Sequence, residues 1–237
     1  MATYNGEKFI KYQIESILSQ LNSKDELIIS DNFSDDLSLK IIEEFNDDRI
    51  KLVFCGKNEG KIKSINRNFQ NALNHSSGDK ILLSDQDDIW LPSKLNLFDE
   101  YLEKFNCVLS DCTIVDSELN IINESYFSIR PPSNSVLNVI YKNPFLGCCM
   151  GFNRTLIEDF NEIPSSNYIG HDIWIGINSL FNNELGIIDK PLILYRKHET
   201  SASSSGNKSS NSIFYKINYR IILIINLFKW RIKSFFK

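Results

Sequence analysis

The sequence lacks the marks of several protein classes. No secretory signal opens the chain, and no apolar run approaches the roughly 20 residues that a membrane-spanning helix needs. The 237 residues include five cysteines, an odd number, and none of them forms a Cys-x-x-Cys pair. The net charge of -4 argues against general nucleic-acid binding. We therefore expect a cytoplasmic protein with reduced, mostly buried thiols and no nucleic-acid partner.

Length and periodicity predict one large α/β domain. A hydrophobic fraction of 42% over 237 residues supplies one sizeable core. Apolar residues at helical spacing alternate with short apolar runs, which predicts a mainly parallel sheet covered on both faces. The predicted elements of the first half are helices near residues 7–20, 41–45, 62–77 and 92–104, and strands at 27–29, 50–54 and 81–83.

Carboxylates follow two of these predicted strands. Asp31 follows one strand, and Asp85, Asp87 and Asp88 follow another within four positions. Ligands of open α/β sheets bind at the carboxyl ends of strands. Clustered carboxylates favour a hard cation such as Mg²⁺ or Mn²⁺, which can bridge a nucleotide diphosphate. The alternative is a solvated acidic turn that caps the next helix, and the acidic segment alone leaves both open.

The second half has a less regular pattern. It predicts strands at 107–110, 145–152, 187–188 and 192–195, and a helix at 172–180. Residues 201–212 are rich in serine and asparagine and predict a flexible loop.

The last segment, residues 213–237, combines basic, apolar and aromatic residues and contains no acidic residue. This composition is typical of an amphipathic helix that lies on an anionic lipid surface. The alternative is a last helix docked on the body with a solvated basic face. We favour the membrane surface, because the aromatic residues and the charge bias both point to it.

Seven short motifs stand in a fixed order along the chain. They are ATYNGEKFI at 2–10, SDNFSDD at 30–36, NEG at 58–60 with NF at 68–69, DQDDIW at 85–90, GCCM at 147–150, HDIW at 171–174 and YRKH at 195–198. In this order they resemble the motifs of the family 2 glycosyltransferases, specifically the bacterial rhamnosyltransferase-like branch. The resemblance covers about residues 2–200.

The resemblance implies a GT-A fold and a metal-dependent enzyme. Residues 1–105 would form a Rossmann-like nucleotide-binding half with a mainly parallel sheet, and residues 106–200 a smaller acceptor-binding part. The implied reaction is an inverting hexosyl transfer from a nucleotide-diphosphate sugar, with rhamnose as one candidate sugar. The implied acceptor is a lipid-linked glycan of a bacterial surface polysaccharide, such as lipopolysaccharide or capsule. Mn²⁺ or Mg²⁺ would neutralise the departing diphosphate. Residues 213–237 would hold the enzyme at the inner face of the cell membrane.

The resemblance also implies roles for single residues. Asp172 is the candidate catalytic base, since inversion by one displacement requires one base. The implied metal ligands are Asp87 and His198. The implied donor-binding residues are Thr3, Tyr4, Asp31, Asn58, Asp85 and Arg196, and the implied acceptor-binding residues are Trp174, Gly147 and Cys148.

Structural roles remain open for several of these residues. Asp172 could instead cap a helix, as aspartate commonly does. His198 could be a surface or capping residue, and Tyr4 and Trp174 could fill the core. Arg196 could pair with a carboxylate of the site rather than with the diphosphate.

Two departures from the family pattern bear on activity. Family members begin with a strand of several apolar residues, whereas Met1 stands where that strand should end, so we expect the first strand to be missing. Asn32 and Phe33 replace the usual Asp and Gly, and Phe33 should not easily take the positive φ that Gly allows. One alternative is therefore a truncated, non-catalytic nucleotide-binding remnant. A nucleotidyltransferase ranks lower, because the turn at 3–6 lacks a Gly-rich basic phosphate loop.

Overall fold

The computed structural model describes residues 1–56, 60–160, 162–181, 184–198 and 212–235. The predicted loop at 201–212 lies almost wholly outside the described residues, as does Asn58. The described elements are, in chain order, β1 (Ala2–Thr3), α1 (Ile10–Leu18), β2 (Leu27–Asp31), α2 (Ser38–Glu43), β3 (Ile50–Phe54), α3 (Lys61–His75), β4 (Lys80–Leu82), β5 (Ile89–Trp90), α4 (Lys94–Leu102), β6 (Cys107–Val115), β7 (Ile121–Asn123), α5 (Tyr126–Ile129), α6 (Val136–Tyr141), a 3-10 turn (Gly147–Cys149), β8 (Met150–Asn153), α7 (Arg154–Phe160), α8 (His171–Phe181), β9 (Leu185–Arg196) and α9 (Ile213–Phe235).

The strands form two sheets. The first is parallel, with the order β1-β2-β3, and helices α1 and α2 connect its strands. The second is mixed, with the order β4-β8-β6-β9-β5 and with β7 added on β6. Strands and helices alternate in the first half as the periodicity predicts, and the chain is an α/β protein. Because β4 and β5 belong to the second sheet, the predicted division near residue 105 does not separate the sheets, and it stays a prediction.

Strand β6 forms the centre of the second sheet. All nine of its residues are buried, between antiparallel β8 and parallel β9. The sequence predicts two strands at 187–195, whereas β9 is one strand of 12 residues. A register shift beside Asp111 accommodates Pro191, so the pairing continues past the proline. The carboxyl end of β9 therefore reaches the acidic segment that follows β4.

The segment predicted as a strand at 145–152 begins with a 3-10 turn. Gly147–Cys149 form this turn, the amide of Cys149 donates to the carbonyl of Leu146 at 3.0 Å, and β8 begins only at Met150. The strand prediction is wrong for the first part of the segment, because an apolar run indicates burial and does not by itself specify an extended backbone.

Strand β1 is short rather than missing, which corrects the expectation from the sequence. Ala2 and Thr3 pair in parallel with the end of β2, and the amide of Ala2 donates to the carbonyl of Ser84 at 3.3 Å. A cavity of about 440 Å³ lies beside Met1 and is lined in part by residues of β2 and β4. Ile28 and Leu82 are among the residues that line it.

The turn after β2 also differs from expectation, because Phe33 does take a positive φ of 58°. The carboxylate of Asp31 stabilises this turn by accepting from the amide and the hydroxyl of Ser34, at 2.8 and 2.6 Å. The ring of Phe33 is exposed and stacks on Phe54 with 6.1 Å between the centroids. Two side-chain hydrogen bonds and a ring contact thus accompany the unfavourable backbone conformation.

Helix α9 covers 23 residues of the predicted C-terminal helix. Leu223 and Leu227 pack it against the main core. Of the helices that the structure describes, none combines the length and the apolar character required to cross a bilayer.

Candidate active site

A cavity of about 710 Å³ opens where β1, β2 and β4 end. Its walls come from the turn after β1, the end of β2, the start of α3, the acidic segment after β4 and the end of β9. Six residues implied by the resemblance line it: Thr3, Tyr4, Asp85, Asp87, Arg196 and His198. The cavity therefore collects polar side chains from both ends of the chain at the strand ends where ligands of α/β folds bind.

Gln86 connects the turn after β1 to the acidic segment. Its Oε1 accepts from the hydroxyl of Thr3 and from the amide of Tyr4, each at 2.7 Å, and its Nε2 donates to the carbonyl of Tyr4 at 3.0 Å. Three hydrogen bonds from one amide fix Tyr4 relative to Asp85 and Asp87. Sequence reasoning missed Gln86, because its partners lie more than 80 positions away and no local pattern marks them.

The two predicted metal ligands lie in contact. Nε2 of His198 is 2.8 Å from Oδ2 of Asp87, and the side chains are only 12% and 18% exposed. Two ligands in adjacent octahedral positions about 2.1 Å from Mg²⁺ are themselves about 3 Å apart. The pair is therefore spaced so that both atoms could bind one small cation. The aromatic ring of Phe9 packs against His198, with 4.8 Å between the centroids.

Asp88 ties the acidic segment to β9. Its Oδ1 accepts from the amide of Arg196 at 3.0 Å, and its fully buried Oδ2 has no hydrogen-bond partner among the described residues. The guanidinium of Arg196 donates to the carbonyl of Asp87 at 2.9 Å and to that of Ser117 at 2.7 Å. Arg196 thus binds backbone carbonyls beside the cavity, and its implied contact with the donor stays a prediction.

Asp85, Asp88 and Cys148 form a second group of potential ligands, with one atom of each within 4.8 Å of the others. Hydrogen bonding with Cys149 and burial raise the pKa of the Cys148 thiol, so this sulfur stays protonated and is a poor ligand. Burial, then the charges of Asp87 and Asp172, raise the pKa of Asp85 to about 7. A bound cation would relieve this repulsion, and the carboxylates with His198 fit a hard divalent ion better than the thiol does.

Lys94 is a buried cation below this group. Its ammonium donates to the carbonyl of Cys148 at 2.7 Å and lies 4.3 Å from the centre of the Trp90 ring. Burial lowers the pKa of Lys94 to about 8, and the nearby charge of Asp88 opposes this. The lysine thus fixes the turn at Cys148 and partly balances the buried carboxylates.

Asp172 lies in the first turn of α8, outside the lining of the cavity. Burial raises the pKa of Asp172 to about 6, while hydrogen bonds from the amide of Ile173 and from Asn143 lower it. Its charge raises the pKa of Asp85, so the two carboxylates interact. A carboxylate that is ionised near neutrality and close to the acidic segment has the properties of a general base.

The three implied acceptor-binding residues are buried. Trp174 is 3% and Cys148 1% exposed, and both belong to the main core. Gly147 lies in the buried 3-10 turn, where a Cβ atom would be 2.3 Å from Nε2 of His171. The packing alternative for Trp174 agrees with this position, and the implied acceptor contacts of these residues stay a prediction.

Asp31 lies at the end of β2 but does not line the cavity. Its side chain is fully buried, and both oxygens accept from Ser34. The adjacent Asn32, rather than Asp31, lines the cavity. The implied donor-binding role of Asp31 therefore stays a prediction.

Comparisons with known proteins agree with this arrangement. Residues 1–162 match the model of the family described as Glycosyl transferase family 2. Over 211 residues the chain is 29% identical to the UDP-Glc:alpha-D-GlcNAc-diphosphoundecaprenol beta-1,3-glucosyltransferase WfgD of Escherichia coli, covering 88% of this chain and 79% of the relative. Over 245 residues it is 27% identical to the dTDP-rhamnosyl transferase RfbG of Shigella flexneri, covering 97% and 80%.

A solved structure shares the fold. The crystal structure of S. aureus TarS in complex with UDP-GlcNAc matches with a TM-score of 0.72 and 21% identity, over 95% of this chain. The match spans 65% of the TarS chain. At this identity the likeness concerns the fold, and the GT-A fold implied by the sequence motifs is confirmed.

Proposed function

Because the chain belongs to glycosyl transferase family 2, we propose that it is an inverting, metal-dependent glycosyltransferase of bacterial surface polysaccharide synthesis. It would transfer a sugar from a nucleotide-diphosphate donor to a lipid-linked glycan. The observation that carries this proposal is the cavity that collects Thr3, Tyr4, Asp85, Asp87 and His198 from distant parts of the chain. The diphosphoundecaprenol-linked acceptor named for the E. coli relative supports the acceptor class.

The donor would occupy the cavity with its diphosphate toward the acidic segment. Tyr4, fixed by Gln86, and Asp85 would position the nucleoside. Asp87 and His198 would hold Mn²⁺ or Mg²⁺, which when bound neutralises charge on the leaving diphosphate. The S. flexneri relative supports rhamnose and the E. coli relative supports glucose as the sugar.

Asp172 would supply the base. Its carboxylate would take the proton of the acceptor hydroxyl while that oxygen bonds to the anomeric carbon and the bond from this carbon to the diphosphate oxygen breaks. With a pKa of about 6, the carboxylate is ionised at neutral pH and still basic enough to accept a proton.

The membrane surface is part of the proposal. Exposed apolar residues recur every three or four positions along α9, on the side away from Leu223 and Leu227: Phe214, Ile217, Ile221, Ile224, Phe228 and Ile232. The same helix carries basic residues and no acidic one. We expect this stripe to enter the interface of an anionic bilayer and to hold the enzyme near its lipid-linked acceptor.

Vesicle binding tests this surface. We expect co-sedimentation with vesicles of phosphatidylcholine and phosphatidylglycerol, and weak binding to phosphatidylcholine alone. Replacing Phe214 and Phe228 by Ser should weaken binding roughly tenfold or more, since each buried phenylalanine contributes ~1.5–3 kcal/mol. Ile121 and Ile122, which are exposed on β7, provide the control substitutions. Equal binding by all variants would contradict the role of α9.

Calorimetric titration with UDP, dTDP and GDP, each with and without Mn²⁺, tests the enzymatic proposal. We expect one nucleotide to bind, and to bind more tightly with the metal. The donor cavity of about 710 Å³ would also suit a second candidate, a non-catalytic nucleotide-binding remnant. Binding without transfer of the sugar to a lipid-linked acceptor would support the remnant, and the absence of any binding would contradict both.

A further inference from the structure

The inner face of α9 changes character along the helix. Tyr215, Tyr219, Leu223 and Leu227 follow one another at intervals of four residues, so they share one side of the helix. The two leucines are buried in the main core, whereas the two tyrosines are half-buried. Toward the start of α9, the face that packs against the body therefore consists of phenol groups rather than of further aliphatic side chains.

The first of these tyrosines lies beside the segment that leads into α8. The ring of Tyr215 packs against the ring of Tyr168, with 5.2 Å between the centroids. Tyr168 precedes Asp172, the proposed base in the first turn of α8, by four residues. The start of α9 is thus held next to the start of α8.

A second contact holds α9 on the other side of the same region. Arg220, which follows Tyr219, donates to the carbonyl of Tyr141 at 3.0 Å. Two residues after Tyr141, the side chain of Asn143 hydrogen-bonds to Asp172. Tyr219 therefore lies between two contacts that both lead to the proposed base.

The hydroxyl of Tyr219 has no structural explanation in this arrangement. Its Oη atom is buried and has no hydrogen-bond partner among the described residues. Burial, then the charge of Asp172, raise the pKa of Tyr219, so the phenol is neutral and interacts with this carboxylate. A buried hydroxyl without a partner costs free energy, and phenylalanine would fill the same space without that cost. The hydroxyl therefore indicates a polar ligand at this position.

We propose that α9 forms one wall of the acceptor site and that the hydroxyl of Tyr219 binds the acceptor sugar next to Asp172. A phenol both donates and accepts hydrogen bonds, which suits the hydroxyl groups of a sugar. The paired rings of Tyr168 and Tyr215 lie one helical turn away and offer an aromatic surface to the apolar face of a sugar ring. This inference rests on the proposed function, since it adds a residue to the acceptor side of the proposed reaction.

Tyr219→Phe tests the proposal, because it removes only the hydroxyl. Transfer is measured with Mn²⁺, with UDP-glucose or dTDP-rhamnose as the donor and with N-acetylglucosaminyl diphosphate carrying an undecyl chain as the acceptor probe. We expect the KM for this probe to rise roughly threefold to tenfold, the usual value of one lost hydrogen bond. The dissociation constant of the donor nucleotide, measured by calorimetry, should not change.

Thermal stability distinguishes binding from packing. Because Oη has no partner among the described residues, Tyr219→Phe should leave the thermal midpoint unchanged or raise it. Tyr219→Leu, which continues the leucine face of α9, should raise the KM in the same way. Tyr101→Phe is the matched control, since Tyr101 is half-buried on α4 beside Phe105 and does not line the 710 Å³ cavity. This control should keep the wild-type KM.

The outcomes separate this inference from the function on which it rests. A raised KM in both Tyr219 variants, with an unchanged KM in Tyr101→Phe, supports the inference. If the wild-type chain transfers the sugar and Tyr219→Phe keeps the wild-type KM, the inference is overturned and the proposed function stands. If a nucleotide binds but no sugar reaches the probe, the non-catalytic remnant is supported, and the transferase proposal and this inference fail together.

Discussion

Nε2 of His198 lies 2.8 Å from Oδ2 of Asp87, although the two residues are 111 positions apart. The hydrogen bond from the amide of Arg196 to Asp88 brings their segments together. The contact is therefore built by the junction of β9 with the acidic segment rather than by either segment alone. This relationship makes the metal proposal directly testable.

We expect His198→Ala and Asp87→Asn to weaken Mn²⁺ binding by roughly tenfold to a hundredfold, since each removes a ligand atom from the proposed site. Calorimetric titration with MnCl₂ in the presence of the bound nucleotide measures this loss. His75→Ala, at the exposed end of α3, is the matched control and should bind Mn²⁺ as the unchanged chain does. Unaltered affinity in both site variants would move the metal to another group, such as Asp85 with Asp88.

The proposed base predicts a pH dependence of turnover. The pKa of Asp172 is raised to about 6, so the carboxylate is protonated below this pH and ionised above it. We expect turnover to rise with pH through about 6 and then to level off. Asp172→Asn should lower kcat by roughly 10²- to 10⁴-fold with little change in donor affinity. Asp48→Asn, at an exposed position, is the control. Full turnover by the Asp172 variant would remove this residue from the mechanism.

Gly147 makes a stability prediction. A Cβ atom at this position would lie 2.3 Å from Nε2 of His171, whose ring is stacked on Phe69 with 3.9 Å between the centroids. Gly147→Ala should therefore lower the free energy of unfolding by about 1–3 kcal/mol, the usual cost of overpacking. Urea unfolding measures the loss.

Two further variants identify the cause of that loss. Gly56→Ala places its methyl group in open space and should change the free energy of unfolding little. Removing the imidazole with His171→Ala should make the Gly147 substitution less costly in a double-mutant cycle. Additive effects of the two substitutions would show that the contact with His171 is not the source.

Local periodicity is enough to predict much of the fold and little of the site. The strands β2 and β3 and the helix α3 follow from apolar spacing, and the position of Asp85 follows from its place after an apolar run. Gln86 could not be identified in this way, since its role depends on contacts with the distant turn after β1. Periodicity records which face is buried along one element, but it does not specify which elements meet.

The resemblance to a family named Asp87 and His198 as ligands of one metal, and the two side chains are in contact. The motifs predict less about local backbone conformation and burial. Phe33 takes a conformation that its side chain alone disfavours, because Asp31 and Ser34 close the turn by hydrogen bonds. Trp174 has a residue type suited to sugar stacking, yet it lies in the core. In both cases the surrounding contacts, which a motif does not contain, determine the outcome.

The cavity beside β1 has the features of an unfilled strand position. The amides of Ser30 and Asn32 donate to the carbonyls of Met1 and Thr3, so strand alternation points the amide of Ile28 into the cavity. On the opposite side of the cavity, the carbonyl of Ser84 accepts from the amide of Ala2. By the same alternation, the amide and carbonyl of Leu82 face the cavity. A strand added before Met1 could therefore pair with both edges.

We expect four apolar, β-favouring residues placed before Met1 to raise the thermal midpoint by roughly 5 °C or more, since 1 kcal/mol shifts the midpoint of a domain of this size by about 2–4 °C.

The extension should also change the pH dependence of stability. Burial lowers the pKa of the Met1 ammonium from 8.0 to about 5, so the unfolded chain binds the extra proton between these values and stability rises from pH 5 to pH 8. The extension moves this amine away from the cavity and should remove that part of the rise. A Gly-Ser extension of equal length also displaces the amine but leaves the cavity without apolar side chains. Equal midpoints for the two extensions would show that the cavity does not accept a strand.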